Sequence, residues 1–133
     1  MKYIPQAAPF EMIDRLTAAG DHDSHSQLTI REDNIFVVNG FFTEPGLIEN
    51  MAQTAAAGIG YQAMKEQQDK PPLGFIGQIK NLSIYHLPEV GSRISTEIIV
   101  ETALLNVKVL KGKVSIGQQL IAEGSFKVFV ENI

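Results

Sequence analysis

The chain has 133 residues, of which 44% are hydrophobic and 20% are charged, and its formal net charge at pH 7 is −4. This length and composition indicate one folded domain over residues 1–133 and exclude a disordered chain. The negative charge argues against a nucleic-acid partner, because duplex binding depends on Lys and Arg that neutralise phosphates, and the absence of cysteine excludes disulfides, thiolate metal ligands and cysteine nucleophiles.

The first predicted elements are short. Residues 9–14 are compatible with a short helical turn, and residues 15–19 and 24–31 predict two strands joined by a polar turn. A short apolar run follows and ends at Asn39-Gly40, a pair that is typical of turns.

One long helix is predicted from residue 45 to residue 68. Pro45 suits the first turn, since its missing N–H would be unbonded there anyway, and Thr43 or Glu44 is placed to cap the start. The pair Pro71-Pro72 forbids continuation of the helix. The apolar residues that recur at helical spacing are Leu47, Ile48, Met51, Ala52, Ala55, Ala56, Ile59 and Met64.

Beyond the prolines the hydrophobic pattern changes to period two, which is typical of strands with one buried side. We predict strands at residues 75–85, 92–104, 108–116 and 120–130, the third containing or following a turn near residues 111–113. One buried helix with a run of long antiparallel strands indicates an α+β domain in which a curved sheet wraps around the central helix. This geometry is the hotdog fold.

The start of the helix carries a carboxylate, Glu49, among apolar and very small side chains. A helix so rich in Ala and Gly is normally surrounded by other backbone, so Glu49 is a candidate for catalysis or ligand binding. The alternative is an exposed acid that the positive end of the helix dipole stabilises.

The order of several motifs resembles the 3-hydroxyacyl-acyl-carrier-protein dehydratases over nearly the whole chain. Residues 4–15 (IPQAAPFEMIDR) are similar to their opening pattern LPHRxPFLLVDR, and residues 49–53 (ENMAQ) to their EAxAQ helix start. Residues 74–80 (GFIGQIK) and 90–94 (VGSRI) resemble their following strand and turn. The likeness is closest to the dehydratase-like proteins of aryl polyene and flexirubin-type pigment clusters. It implies a hotdog protein that removes water from 3-hydroxyacyl thioesters, with Glu49 as the catalytic acid.

The chain departs from these dehydratases at the place of their catalytic histidine, which lies in a GHFP segment before the helix. The corresponding residues 38–45 (VNGFFTEP) contain no histidine, and Gln6 stands where the opening pattern has its other histidine. His22 and His25 fit a solvated turn and His86 fits the end of a strand, so we identify no replacement base. Loss of a general base costs about 10²–10⁴-fold in rate.

The start of the helix also predicts a thioester site. We expect unpaired N–H groups at Gly46 and Leu47 to polarise the thioester carbonyl, as in an oxyanion hole. Asn50 and Gln53 would form a polar edge beside Glu49 or, alternatively, would lie on a solvated or dimer face. The aromatic side chains expected to line an acyl tunnel, or else to pack in the core, are Phe41, Phe42 and Phe75.

Three functions remain open from the sequence. The leading hypothesis is a dehydratase-like protein that acts on or binds 3-hydroxyacyl thioesters in fatty-acid or polyene biosynthesis. The second is a non-catalytic subunit that pairs with an active dehydratase, which the missing histidine favours. The third is a hotdog acyl thioesterase whose helix acid directs water to the thioester, and the proline-phenylalanine-aspartate-arginine string near the N-terminus argues against it.

The expected partners follow from the resemblance. We expect an acyl carrier protein, and a homodimer or higher oligomer or a heterodimer with an active dehydratase. No cofactor is expected, and three scattered histidines give no metal-ligand spacing. No apolar run approaches the roughly 20 residues that cross a bilayer. The first residues lack the apolar core of a signal peptide, so the expected location is the cytoplasm.

Overall fold

The computed structural model describes residues 3–66 and 73–131, without the side chains of residues 73–75 and 131. Within these residues it contains one long helix, a six-stranded antiparallel sheet and a two-stranded hairpin, which confirms the predicted α+β class. The elements are β1 (Arg15–Ala19), β2 (Asp23–Thr29), β3 (Val37–Val38), β4 (Phe41–Phe42), α1 (Glu44–Lys65), β5 (Leu73–Ile84), β6 (Arg93–Leu104), β7 (Val107–Ile116) and β8 (Gln119–Glu131).

The strand order places the helix inside a curved sheet. The order is β1-β2-β6-β7-β8-β5, and every neighbouring pair is antiparallel. Helix α1 contacts strands from both ends of this order, namely β1, β2, β5, β6 and β7. The sheet therefore wraps around the helix, and β1 and the twelve-residue β5 form its two edges.

The period-two pattern of the sequence correctly predicts which side of the strands is buried. Ile94 and Ile98 of β6 and Ala122, Phe126 and Val128 of β8 are buried. The residues that alternate with them are more exposed, namely Ser95, Glu97, Glu123, Ser125 and Lys127. The alternating residues therefore turn one side of the sheet toward α1. The other members of the main core cluster are Met12, Leu28, Ile30, Phe42, Leu47, Met51, Ala55, Leu110, Val114 and Ile121.

The short hairpin β3–β4 comes directly before the helix. Its turn is Asn39-Gly40, as predicted, and both residues have positive φ angles, +52° and +82°. Two successive positive φ angles suit a tight two-residue hairpin turn, which Asn and Gly adopt at low cost.

The predicted turn near residues 111–113 is wrong. Gly112 lies within the unbroken strand β7, paired with Ile98 and Gly124, and the chain turns earlier at Leu105. A Cβ at residue 112 would lie 3.0 Å from the Met51 sulfur, so the glycine allows α1 to approach the sheet closely.

Two further differences concern the ends of elements. Residues 9–14 form no helical turn, because their backbone bonds to side chains of α1. The helix is described as far as Lys65, and the predicted helix end at residues 67–68 and the proline pair lie outside the described residues. In the part of the chain that the structure describes, no helix has the length and apolarity needed to cross a bilayer.

Small residues of α1 set the distance between the helix and its surroundings. A Cβ built on Gly58 would lie 2.7 Å from Ser24 Cβ and 2.9 Å from Ser24 Oγ, and a Cβ on Gly60 would collide with the Tyr3 carbonyl. Gly58 therefore serves close packing on β2, although glycine costs about 1 kcal/mol relative to alanine inside a helix.

We expect Gly58→Ala to lower the free energy of unfolding by about 1–3 kcal/mol, because the new methyl group collides with Ser24. Urea denaturation of the purified chain measures this change. The control is the same substitution in a Ser24→Gly background, which removes the colliding atoms. In that background the alanine should instead stabilise the helix, and an equal loss in both backgrounds would contradict the packing explanation.

Candidate functional site

The N-terminal segment, residues 4–14, lies against α1 and is held there by two amide side chains. Gln53 is buried; its Oε1 accepts a 2.6 Å hydrogen bond from the Met12 N–H, and its Nε2 donates to the Phe10 carbonyl at 2.9 Å. Asn50, also buried, donates from Nδ2 to the Met12 carbonyl at 2.8 Å. The segment thus pairs with helix side chains as it would pair with a neighbouring strand.

The same helix turn is tied to the sheet by buried hydroxyl groups. Thr96 of β6 donates from Oγ1 to Asn50 Oδ1 at 2.6 Å, and Thr54 donates from Oγ1 to the Asn50 carbonyl at 2.7 Å. Since that bond uses the only hydroxyl proton of Thr54, the 2.6 Å contact between Ser26 Oγ and Thr54 Oγ1 has Ser26 as its donor. Every polar atom of the Asn50 side chain therefore has a partner.

Glu49 is half-buried on the same turn of the helix. Its Oε1 accepts a 2.8 Å hydrogen bond from Nε2 of Gln53, four residues further along α1. Because Gln53 is itself held by Met12 and Phe10, the carboxylate is fixed by a side chain that has little freedom. The expected polar edge of Glu49, Asn50 and Gln53 is thus present, but Asn50 and Gln53 face the N-terminal segment and not solvent.

The backbone amides at the helix start are not unpaired, which corrects the expectation for Gly46 and Leu47. Both N–H groups donate to the Thr43 carbonyl, at 3.0 and 3.2 Å. The Thr43 hydroxyl does not cap the helix but donates to the Phe36 carbonyl at 2.6 Å. In this arrangement the Gly46 and Leu47 amides therefore do not form an oxyanion hole, because both N–H groups are already hydrogen-bonded.

The three aromatic candidates have different surroundings. The Phe42 ring is fully buried in the core, and a Cβ on Gly46 would lie 2.5 Å from it. Phe41 is 39% exposed in the hairpin before the helix, which leaves it accessible to a ligand or a partner. The side chain of Phe75 lies outside the described residues.

A small cleft lies one helix turn beyond Glu49, on the same face of α1. Ala52, Gln53 and Ala56 follow Glu49 at helical spacing and line a cleft of about 60 Å³ that Ile76 of the edge strand β5 closes on one side. A larger groove of about 640 Å³ lies beside the second half of α1, among residues such as Gly58, Gln62 and Leu110, and Glu49 does not line it. Glu49 does not line the small cleft either, but it is bonded to Gln53, which does. The candidate reaction site is therefore the small cleft.

No histidine is bonded to Glu49 among the described residues. His25 Nε2 lies 2.8 Å from Asp23 on the exposed side of β2, His22 is exposed in the preceding turn, and His86 is exposed after β5. Across residues 3–66 and 73–131, no three acidic or histidine side chains are placed to hold a metal ion.

Beyond the end of β5, the Tyr85 hydroxyl donates to Glu123 at 2.8 Å. This hydrogen bond raises the pKa of Tyr85.

The model of the ApeP-like family, described as ApeP dehydratase, matches residues 1–132. No curated protein sequence matches the chain at a significant level.

Solved structures share the fold at low sequence identity. A chain of the dehydratase heterocomplex ApeI:P from Xenorhabdus doucetiae is 18% identical with a TM-score of 0.83, covering 98% of this chain and 89% of its own. Cj0977, a sigma28-regulated virulence protein from Campylobacter jejuni, is 13% identical with a TM-score of 0.73, at 97% and 82% coverage. A hypothetical thioesterase protein with coenzyme A from Streptococcus pneumoniae is 8% identical with a TM-score of 0.72, at 89% and 85% coverage.

We expect Asn50→Leu to lower the free energy of unfolding by about 2–4 kcal/mol, because it leaves the Met12 carbonyl and the Thr96 hydroxyl buried without partners. Thermal and urea denaturation measure the loss. As a control, Gln27→Leu removes a partly exposed amide that, among the described residues, bonds to Arg15 at the surface, and it should change stability little. Similar effects of the two substitutions would contradict the buried network.

Proposed function

Because the chain belongs to the ApeP-like dehydratase family, we propose that it is one subunit of a heteromeric dehydratase in polyene biosynthesis. In this role it binds a 3-hydroxyacyl thioester carried by an acyl carrier protein and supplies Glu49 as the acid. The observation that carries the proposal is a half-buried carboxylate, fixed by Gln53 beside a cleft and bonded to no histidine among the described residues.

The elimination needs an acid and a base. A protonated Glu49 gives its proton to the departing β-hydroxyl, which leaves as water, and the N–H of Gln53 then stabilises the carboxylate that forms. The α-proton must go to a base, and each of the two groups is worth about 10²–10⁴-fold. The proposal assigns the base to a partner subunit, because the histidines of this chain lie away from Glu49: His25 is beside Asp23, and His22 and His86 are exposed.

The edge strand β5 supports assembly with such a partner. Its outer side has no strand neighbour among the described residues, and an unpaired edge of this length is a template for pairing. We name the exposed apolar residues on it the β5 surface: Ile76 and Ile79. Ile76 also lines the small cleft, so a partner on this surface would reach the site. The ApeI:P neighbour is itself a heterocomplex.

A single assay separates this function from its alternatives. The chain is tested alone and together with the dehydratase encoded nearest to it, using a 3-hydroxyacyl thioester and following enoyl absorbance and free thiol. Enoyl product only from the mixture supports the proposal, and enoyl product from the chain alone would make it a self-sufficient dehydratase. Thiol release would indicate a thioesterase, the class for which the Streptococcus pneumoniae neighbour is named.

We expect Glu49→Gln to lower the turnover of the mixture at least about 100-fold, because the amide cannot protonate the leaving hydroxyl. Rates of enoyl formation measure the loss, and circular dichroism checks the fold. Glu44→Gln is the matched control, since Glu44 is an exposed acid in the first turn of the same helix. Equal rates for the two variants would remove Glu49 from the mechanism.

We expect Ile79→Lys to weaken association with the partner about 10–100-fold, since it removes apolar burial and places a charge in the interface. Light scattering after size exclusion measures the masses of the chain alone and of the mixture. The mass of the chain alone also tests the predicted homodimer. Leu105→Lys is the control, because Leu105 is 96% exposed in the β6–β7 turn. An unchanged complex with Ile79→Lys would place the partner elsewhere.

A further inference from the structure

The side-chain oxygen of Gln6 is buried without a hydrogen-bond partner among the described residues. Gln6 belongs to the N-terminal segment that crosses α1, and as a residue it is half-buried. Buried acceptors in native proteins nearly always have a donor, and an unpaired one destabilises the fold. The fold therefore holds an acceptor whose donor is not supplied by the described part of the chain.

The residue that carries the unpaired oxygen lines the small cleft near Glu49. Gln6 lines the cleft of about 60 Å³ together with Gln53, and its remaining walls are apolar: Ala52, Ala55, Ala56, Ile59, Ile76 and Val128. The amide of Gln53 already bonds to Met12, Phe10 and Glu49. Gln6 thus supplies the unused polar group of an otherwise apolar cleft.

Glu49 does not line this cleft itself but is bonded to Gln53, which does. Ala52 and Gln53, which both line it, are three and four residues after Glu49, so all three lie on one face of α1. Gln53 bonds to the Glu49 carboxylate from within the cleft wall. A small group that enters the cleft would therefore contact Gln6 and Gln53, and Gln53 joins the cleft to the acid.

We propose that Gln6 Oε1 accepts the hydrogen bond of the substrate's β-hydroxyl and so turns a lone pair of that hydroxyl toward Glu49. This inference rests on the proposed function. The Cβ–O bond breaks, its electron pair goes to the oxygen, and the oxygen takes the Glu49 proton and leaves as water. The Cα–H electron pair forms the Cα=Cβ bond, and the α-proton passes to the partner's base. Gln6 holds the O–H that the hydroxyl brought throughout this step.

The chemistry of the cleft favours a hydroxyl over the related acyl groups. A 3-oxoacyl group presents a carbonyl oxygen, which cannot donate to the Gln6 oxygen, and a fully reduced acyl group has no polar atom at this carbon. The enoyl product likewise has no donor there. Gln6 would thus raise the affinity for the 3-hydroxyacyl substrate relative to the enoyl product. An unpaired buried acceptor disfavours ligands that cannot donate a hydrogen bond to it.

The test compares two stable ligands on the wild-type complex with its partner dehydratase. The ligands are a 3-hydroxyacyl pantetheine amide and its 3-deoxy analogue, and calorimetry gives their dissociation constants. We expect wild type to bind the hydroxyl ligand about 3–10-fold more tightly. We expect Gln6→Met to lose most of this preference and to keep only the part that Glu49 contributes. Gln62→Met is the matched control, since Gln62 bonds to the Gly20 carbonyl away from the cleft, and it should keep the preference.

A stability measurement accompanies the binding test. If the acceptor has no protein donor, Gln6→Met should raise the Tm of the chain alone by about 2–6 °C, whereas removal of a structural hydrogen bond would lower it. A lowered Tm, or a preference retained in full by Gln6→Met while Glu49→Gln still stops turnover, overturns this inference alone. A wild-type complex that neither turns over a 3-hydroxyacyl thioester nor binds the amide ligand overturns the proposed function as well.

Discussion

The clamp that Asn50 and Gln53 place on the N-terminal segment is the constraint on which the site depends. Two amide side chains of α1 replace the strand that the backbone at Phe10 and Met12 would otherwise pair with. Amides buried without partners would be costly, whereas in this network each one has its hydrogen bonds. The clamp therefore fixes both the path of the segment and the rotamer of Gln53, and through Gln53 the position of the Glu49 carboxylate.

Residues 49–56 of α1 pack against the sheet on one side and face the candidate site on the other. Asn50 and Thr54 face the sheet, where Thr96 and Ser26 bond to them. Ala52 and Gln53 line the cleft near the edge strand, and Gln53 bonds to Glu49. A helix turn with bulky side chains would fill that cleft. The small residues that make the helix look like a simple packing element thus also keep space beside the acid.

The long elements were predictable from the sequence because their signals are local. Period-two alternation located the buried side of β6 and β8, and the pair Asn39-Gly40 located a turn. Gly112 was misassigned since a glycine serves a turn and a close approach equally well, and only the position of Met51 distinguishes them. The amides of Gly46 and Leu47 were expected to be free, but the carbonyl of Thr43 accepts from both. The roles of Asn50 and Gln53 depend on partners about forty residues away, which no local pattern reveals.

A site whose acid is fixed within one chain and whose base lies in another makes activity depend on assembly. The acid is held by contacts internal to this chain, so it needs no partner to reach its position. The cleft beside it is bounded by the edge strand β5, so a partner that pairs there would complete the wall and bring in new side chains. Separate subunits could then be varied independently: one sets the geometry of the leaving group, and the other sets the strength of the base. Under the proposed function, such a division would explain why a chain without the dehydratase histidine keeps a carboxylate that is bonded to Gln53 at its helix start.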